Sequence, residues 1–351
     1  MSQPQIVQVV GAGLIGTSIA LGLRERGLDV FVDDIDDEHI RVAVDRGAGQ
    51  AGHAAQPDVV VVAVPPADVP DAVERALATW PDAVVTDVAS VKSDVAASVS
   101  GRPGADRYVG SHPMAGRERS GPVAASARLF EGLPWVLVPL AESRADAVAA
   151  VQAIAESLGA APRTMDALTH DRAVALVSHV PQVLSVLAAA RLRGAPAEHV
   201  ALAGPGLRDV TRIAGSDPAL WVDILDRNAA EVLAVLLAVR DDLTTAIDAL
   251  ANEPAAIAKL LEAGREGTSA IPGKHGDQAV AWAPVYVVVA DRPRELERVV
   301  ADAGQSGVNI EDLRIQHELG RPAGVVEIYV LPEHADTLVT SLVARGWPAY
   351  R

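Results

Sequence analysis

The sequence predicts an α/β protein in which a doubly wound, mostly parallel sheet is followed by an all-helical region and then by a small βαββαβ unit. Three observations carry this. Short β-branched runs alternate with helical stretches through the first part of the chain, as parallel sheets with crossover helices require. From about Met165 strand patterns give way to long apolar helices. After a stretch with the composition of a linker, strand and helix patterns return over residues 283–351. The limits read from these changes are 1–164 for the sheet domain, 165–268 for the helical domain, 269–282 for the linker and 283–351 for the terminal unit. A length of 351 residues suits two or three domains, at roughly 150 residues each.

The first strand, residues 5–10, runs directly into Gly11-Ala12-Gly13-Leu14-Ile15-Gly16 and then a helix over 17–26. Glycines at this spacing permit a tight turn, close backbone approach to a pyrophosphate and close packing of helix on strand, with the helix N-terminus facing the phosphates. Strand, GxGxxG and helix in this order predict a Rossmann-type dinucleotide-binding domain. A second strand, residues 30–32, ends in Asp33 and Asp34. A carboxylate there accepts hydrogen bonds from the adenosine ribose and repels a 2'-phosphate, which favours NAD over NADP. Asp34 is the first choice and Asp33 the second, while Asp36 and Asp37 are assigned to a solvated turn.

Further strands are expected over 59–64, 83–88, 108–109 and 135–138, with a helix over 68–79. Ligands of doubly wound sheets sit beyond the carboxyl ends of the strands. The stretches Asp87-Val88-Ala89-Ser90-Val91-Lys92 and Gly110-Ser111-His112 both fall at that edge. His112 is expected in a loop just past its strand, fixed by Pro113, where an imidazole can act as acid or base near neutral pH. Ser90 can serve as its hydrogen-bonding companion, or as a helix N-cap, or both.

Composition narrows the chemistry. The chain has no cysteine, which excludes disulfides, thiolate nucleophiles and Cys-ligated zinc, and no metal is expected. A net charge of -16 and 3% aromatic residues weigh against nucleic acid. Only Lys92, Lys259 and Lys274 are lysines, so recognition of an anion falls to arginine. No secretory leader is apparent, and no apolar stretch is read as reaching the length of a membrane span, so a soluble, cytoplasmic protein is expected.

In the helical region, residues 166–193 form one apolar stretch in which Ser178-His179-Val180-Pro181-Gln182 interrupts the register, with Pro181 removing a backbone donor. The segment Arg208-Asp209-Val210-Thr211-Arg212-Ile213-Ala214 follows a glycine-rich loop. Helices apolar on more than one face need partners, and dimerisation supplies them. In the tail, Gly307-Val308-Asn309-Ile310 forms a turn between a helix and the next strand.

Together these motifs, with Ser111-His112-Pro113-Met114-Ala115-Gly116 and Ile271-Pro272-Gly273-Lys274-His275-Gly276, resemble the prephenate and arogenate dehydrogenases of tyrosine biosynthesis in the form that carries a C-terminal ACT domain. The resemblance covers nearly the whole chain. It implies oxidative decarboxylation, in which the ring carbon bearing the hydroxyl gives a hydride to NAD, carbon dioxide leaves and the ring becomes aromatic. It further implies His112 as the base, Ser90 as its partner, Arg212 as the clamp for a substrate carboxylate, and Ser178, His179 and Gln182 in the substrate site. For the tail it implies tyrosine as effector at a site that includes Asn309 and Ile310. The assembly it implies is a homodimer.

Two positions depart from the pattern. Gln182 stands where the family often has a second histidine, and a neutral side chain there leans toward prephenate rather than arogenate. Arg294 stands where the ACT unit usually has glycine. Two other readings remain: a β-hydroxyacid dehydrogenase, which would need a lysine that residues 166–193 lack, and a redox regulator that binds NAD and amino acids without turnover.

Overall fold

The computed structural model describes residues 4–116, 119–271, 282–317 and 323–351, and its contacts divide the chain into two units, Met1–Arg240 and Asp241–Arg351. In the first unit the order is β1 (Ile6–Val10), α1 (Leu14–Glu25), β2 (Asp29–Asp33), α2 (Asp37–Asp45), β3 (Gln50–Ala51), β4 (Val59–Val62), α3 (Val69–Thr79), β5 (Val84–Asp87) and α4 (Ser93–Val99). It continues with β6 (Tyr108–Pro113), β7 (Pro134–Pro139), α5 (Ala145–Ser157) and β8 (Ala161–Thr164), then the helices α6 (Ala167–Val174), α7 (Val180–Ala190), α8 (Ala197–Val200), α9 (Pro205–Thr211) and α10 (Pro218–Arg227). α11 (Ala229–Asn252) begins in this unit.

The eight strands are ordered β3-β2-β1-β4-β5-β6-β7-β8. All neighbours are parallel except β6 and β7, which are antiparallel. Strand β4 shows why the sheet holds two helical layers. Its four valines are all buried, and the period of two sends Val59 and Val61 into one apolar cluster and Val60 and Val62 into the other. The chain order reverses between β1 and β4, and the glycine loop leaves β1 at that switch point.

Four expectations change. His112 lies within a strand rather than a loop: β6 extends to Pro113, and His112 pairs with Val136 of β7. The cause is the antiparallel β7, whose backbone supplies partners for a segment that local sequence alone would leave as a turn. Asp36 is the N-cap of α2, its side chain accepting from Glu38 N at 2.9 Å, not part of a solvated turn. The stretch 166–193 is interrupted by a π-helical turn, Ala175–His179, which precedes Pro181 and accommodates its missing donor. That stretch also does reach spanning length: Ala167–Ala190 is 24 residues long and contains an 18-residue window of mean hydropathy 1.8. Its buried polar residues His170, Asp171, His179, Gln182 and Ser185 mark one side as packed on protein.

The second unit holds α12 (Ile257–Ser269), then β9 (Ala283–Ala290), α13 (Glu295–Gly304), β10 (Asp312–His317), β11 (Ala323–Val330), α14 (Ala335–Ala344) and β12 (Ala349–Tyr350). The final strand is short but formed, and the antiparallel sheet is ordered β10-β11-β9-β12. Val285, Val287, Val326 and Ile328 pack against Val299, Leu338 and Leu342 of the two helices. Arg294 adopts φ 74°, a glycine-like conformation at the position where the tail lacks the expected glycine. The residues 272–281, which include most of Ile271-Pro272-Gly273-Lys274-His275-Gly276, lie outside the described residues.

Candidate active site

The cofactor end of the site is built by the glycine loop. A Cβ at Gly11 would stand 2.4 Å from Ala63 O and one at Gly16 would stand 1.9 Å from Gly11 O, so packing alone demands both glycines. Gly13 differs, since a Cβ there would touch nothing within 4 Å. It caps α1 without a side-chain hydrogen bond, and the first turn carries no acidic residue. Uncapped N–H groups beside open space at a helix N-terminus suit a pyrophosphate. Asp34 closes the other side: its carboxylate accepts from Ala12 N at 2.5 Å and from Asp36 N at 2.9 Å, and remains partly exposed. Asp33 instead faces His53 Nε2 at 3.0 Å. These residues fit a dinucleotide.

The chemical end lies at the carboxyl edge of β5 and β6. Asp87 of β5 pairs with Gly110 of β6, so Ser111 and His112 project past the end of β5, beside the segment that carries Ser90. Beneath them is a buried polar network. The Asp87 carboxylate pairs with Lys92 Nζ and accepts from Tyr108 OH at 2.5 Å, and Ser111 Oγ donates to Asp87 O at 2.7 Å. Burial pushes the Tyr108 phenol well above its ordinary value, so it stays a donor. The Ser90 Oγ is buried and has no hydrogen-bond partner among the described residues. A buried hydroxyl left in this state is costly unless a ligand satisfies it.

His112 does not stand alone. Its Nδ1 lies 2.9 Å from His170 Nε2, and His170 Nδ1 lies 2.8 Å from Asp171 Oδ1. The proton positions follow from bookkeeping. Asp171 also accepts from Lys92 N at 2.9 Å and Ser93 N at 2.8 Å. Burial pushes its carboxyl up, but the hydrogen bonds from His170, Ser93 and Lys92 prevail and hold it below the usual range, so it is an acceptor. His170 must therefore donate from Nδ1 and, when neutral, accept at Nε2. His112 then donates from Nδ1 and keeps a lone pair on Nε2, to which no described residue bonds. Burial, with His170 and Lys92 adding to it, drives His112 well below its ordinary pKa, so it is neutral and ready to take a proton.

His179 and Gln182 sit on the buried side of α7 and the π-turn before it. His179 Nδ1 is 3.0 Å from Asn228 Nδ2, and its ring meets Trp221 edge-on. Gln182 Nε2 donates to Ile213 O at 3.0 Å, which ties α7 to the turn Arg212–Gly215. Arg212 itself is exposed, and Ser178 is half-buried on the π-turn. His112, Ser90, Ser178, His179, Gln182 and Arg212 all belong to the first unit. Asn309 and Ile310 belong to the second, where Asn309 Nδ2 donates to Glu311 Oε1 at 2.7 Å and Ile310 packs on the small core.

His170, Asp171 and Asn228 are absent from the sequence-derived site. The adjacent pair His170-Asp171 at the start of an apolar helix is the one local signal for the first two. Asn228 leaves none, because it is drawn in by α10 ending against α6.

Fold and site together define a dinucleotide-dependent dehydrogenase. The sequence profile of the prephenate dehydrogenase nucleotide-binding domain matches residues 19–162, and that of the prephenate dehydrogenase dimerization domain matches 166–263. The chain is 35% identical to the probable prephenate dehydrogenase NovF of Streptomyces niveus, over 97% of this chain and 98% of the relative. The structure resembles the Aquifex aeolicus prephenate dehydrogenase solved with hydroxyphenyl propionate and NAD+, with a TM-score of 0.69 and 28% identity over 76% of this chain and 98% of that one. It also resembles Synechocystis arogenate dehydrogenase, with a TM-score of 0.62 and 27% identity over 76% and 100% of the respective chains. The chain belongs to the prephenate dehydrogenase family.

Proposed function

We propose that the protein is a NAD-dependent prephenate dehydrogenase, converting prephenate to 4-hydroxyphenylpyruvate. The observation that carries this is the chain Asp171–His170–His112, which leaves a neutral lone pair on His112 Nε2, while the buried Ser90 hydroxyl, on the segment that follows β5, bonds to no described residue. NAD, when bound, accepts the hydride. Gly11, Ala12, Gly13, Leu14, Ile15 and Gly16 hold its pyrophosphate, and Asp34, with Asp33 as second choice, binds its ribose. His112 takes the proton of the ring hydroxyl and Ser90 orients that hydroxyl, so that loss of carbon dioxide delivers an aromatic ring. The charge formed on His112 is stabilised by the hydrogen bond to His170 and, through it, by the Asp171 carboxylate. Arg212 binds a substrate carboxylate as a bidentate donor. Ser178, His179 and Gln182 complete the substrate site.

The limits 1–164, 165–268, 269–282 and 283–351 divide the chain into dinucleotide-binding, substrate and dimerisation, linker and ACT-like parts. Support for a homodimer comes from Leu176, Val177, Leu187, Leu202, Val222 and Leu233, all more than half exposed on the helical part. The βαββαβ order of the tail supports an ACT-like domain that binds tyrosine near Asn309 and Ile310. The enzyme is taken to be cytoplasmic.

Steady-state assays with prephenate and arogenate, each with NAD and NADP, test the assignment. The expected result is the highest kcat/KM with prephenate and NAD, and a higher value with arogenate would replace the substrate. Arogenate is the second reading because the Gln182 amide nitrogen is committed to Ile213 O, which leaves its carbonyl oxygen as an acceptor for an ammonium group.

A further inference from the structure

Asn228 ends α10 and is 3% exposed, in a position where each of its amide protons can be assigned. Its Nδ2 donates to the Asp171 main-chain carbonyl at 2.8 Å. A carbonyl can only accept, so the atom facing it is nitrogen and not oxygen. The same nitrogen lies 3.0 Å from His179 Nδ1. An amide nitrogen does not accept, so Nδ1 must, and the His179 proton belongs on Nε2.

We propose that Asn228 is a positioning residue that fixes His179 as a neutral Nε2–H donor, the tautomer opposite to that of His112. The two imidazoles then present complementary groups: His112 offers a lone pair to a hydroxyl, and His179 offers an N–H to an anionic oxygen of the substrate, a carboxylate. No described residue bonds to His179 Nε2. Its assignment to a substrate carboxylate rests on the proposed reaction, whereas the tautomer rests on the hydrogen bonds alone.

The electrostatics agree. Burial, opposed by Asp171 and aided by His170, brings His179 down from 6.5 to about 4. Protonation at Nδ1 would also set an N–H against the Asn228 amide. The titratable groups that act on this ring are Asp171 and His170 on α6, His112 of β6 is electrostatically coupled to it, and Trp221 of α10 contributes an edge without charge. His179 is therefore a donor throughout the neutral range, and it gives a hydrogen bond without giving up a proton.

The tautomer is tested directly by 15N NMR of the substrate-free full-length protein labelled at histidine. His179 Nδ1 is expected to resonate as a pyridine-like nitrogen and Nε2 as a pyrrole-like one at pH 7, and the reverse pattern overturns the proposal whatever the substrate proves to be. Kinetics test the role. Asn228→Asp places an acceptor opposite Nδ1, so it should raise the KM for substrate at least tenfold, leave the KM for NAD unchanged and add an ionisation between about pH 5 and 8 to the kcat/KM profile. His179→Ala should raise the substrate KM likewise, and His179→Gln, which keeps a donor near the Nε2 position, should restore most of that loss. A wild-type pH profile in Asn228→Asp, or a His179→Gln no better than His179→Ala, overturns the proposal. Failure of wild type to turn over prephenate would instead remove the substrate assignment and leave the NMR result standing.

Discussion

Replacing His170 with alanine removes the acceptor that His112 Nδ1–H finds 2.9 Å away. In the ground state that hydrogen bond joins two neutral rings and contributes modestly. When His112 has taken the substrate proton, the same N–H belongs to an imidazolium, and the bond is charge-assisted. A hydrogen bond to a charged group contributes about 1.5 to 3 kcal/mol against about 0.5 to 1.5 for a neutral one; the excess of about 1 to 1.5 kcal/mol, at about 1.36 kcal/mol per tenfold, means that His170→Ala should lower kcat about 5- to 13-fold. KM for NAD should not move, because the glycine loop and Asp34 are untouched. His170 is fully buried, and its loss leaves Asp171 short of one partner, so the variant's thermal stability must be measured alongside. The assay is NADH formation under saturating substrate and NAD, with NAD affinity measured separately. A kcat within threefold of wild type in a folded His170→Ala would refute the role given to the His112–His170 bond.

Other consequences follow from the same geometry. Because burial, His170 and Lys92 hold His112 below its ordinary 6.5, the acid limb of the kcat/KM profile should lie below pH 6.5, with activity lost as pH falls through it and His112 becomes protonated; a limb centred above pH 7 contradicts this. Arg212→Ala should raise the KM for substrate by at least about tenfold, or about 1.4 kcal/mol, with the KM for NAD unchanged, and the opposite pattern removes Arg212 from the substrate site. Asp34→Ser combined with Ile35→Arg should shift preference from NAD toward NADP, Ile35 being fully exposed beside the Asp34 carboxylate. Equal kcat/KM for the two cofactors in wild type would show that Asp34 does not discriminate.

Much of this architecture is legible from local pattern. The strand, glycine loop and helix at residues 5–26 identify the cofactor end, because each glycine answers to a specific close approach or an open face. The valine-rich strands reveal the sheet because central parallel strands are buried on both faces. What stays hidden depends on partners distant in sequence. His112 reads as a loop residue until β7 is seen to pair with β6. Strand β8, with only Pro162 even half-buried, carries no apolar run and exists because β7 offers an edge.

His170 shows the limit most clearly. In a regular helix the nine residues to His179 turn the chain through about 900°, which places the two side chains on opposite faces, roughly 180° apart. The π-turn Ala175–His179 absorbs about one residue of that rotation and brings the difference down to about 80°. Both histidines then reach the same site, in contact through Asp171 and Asn228. A helical wheel drawn from the sequence puts one of them outside. The interruption around Pro181 was visible, but its consequence for His170 was not.

The most direct test of the assignment is the stoichiometry of prephenate turnover by wild type and His112→Asn, measured as NADH and 4-hydroxyphenylpyruvate released from saturating prephenate and NAD at pH 7.5. Wild type should form the two products in equal amounts. His112→Asn should form both about 10²- to 10⁴-fold more slowly, as expected for loss of a general base, while binding NAD and substrate about as well as wild type. Rapid turnover by His112→Asn, or no formation of 4-hydroxyphenylpyruvate by wild type, would contradict it.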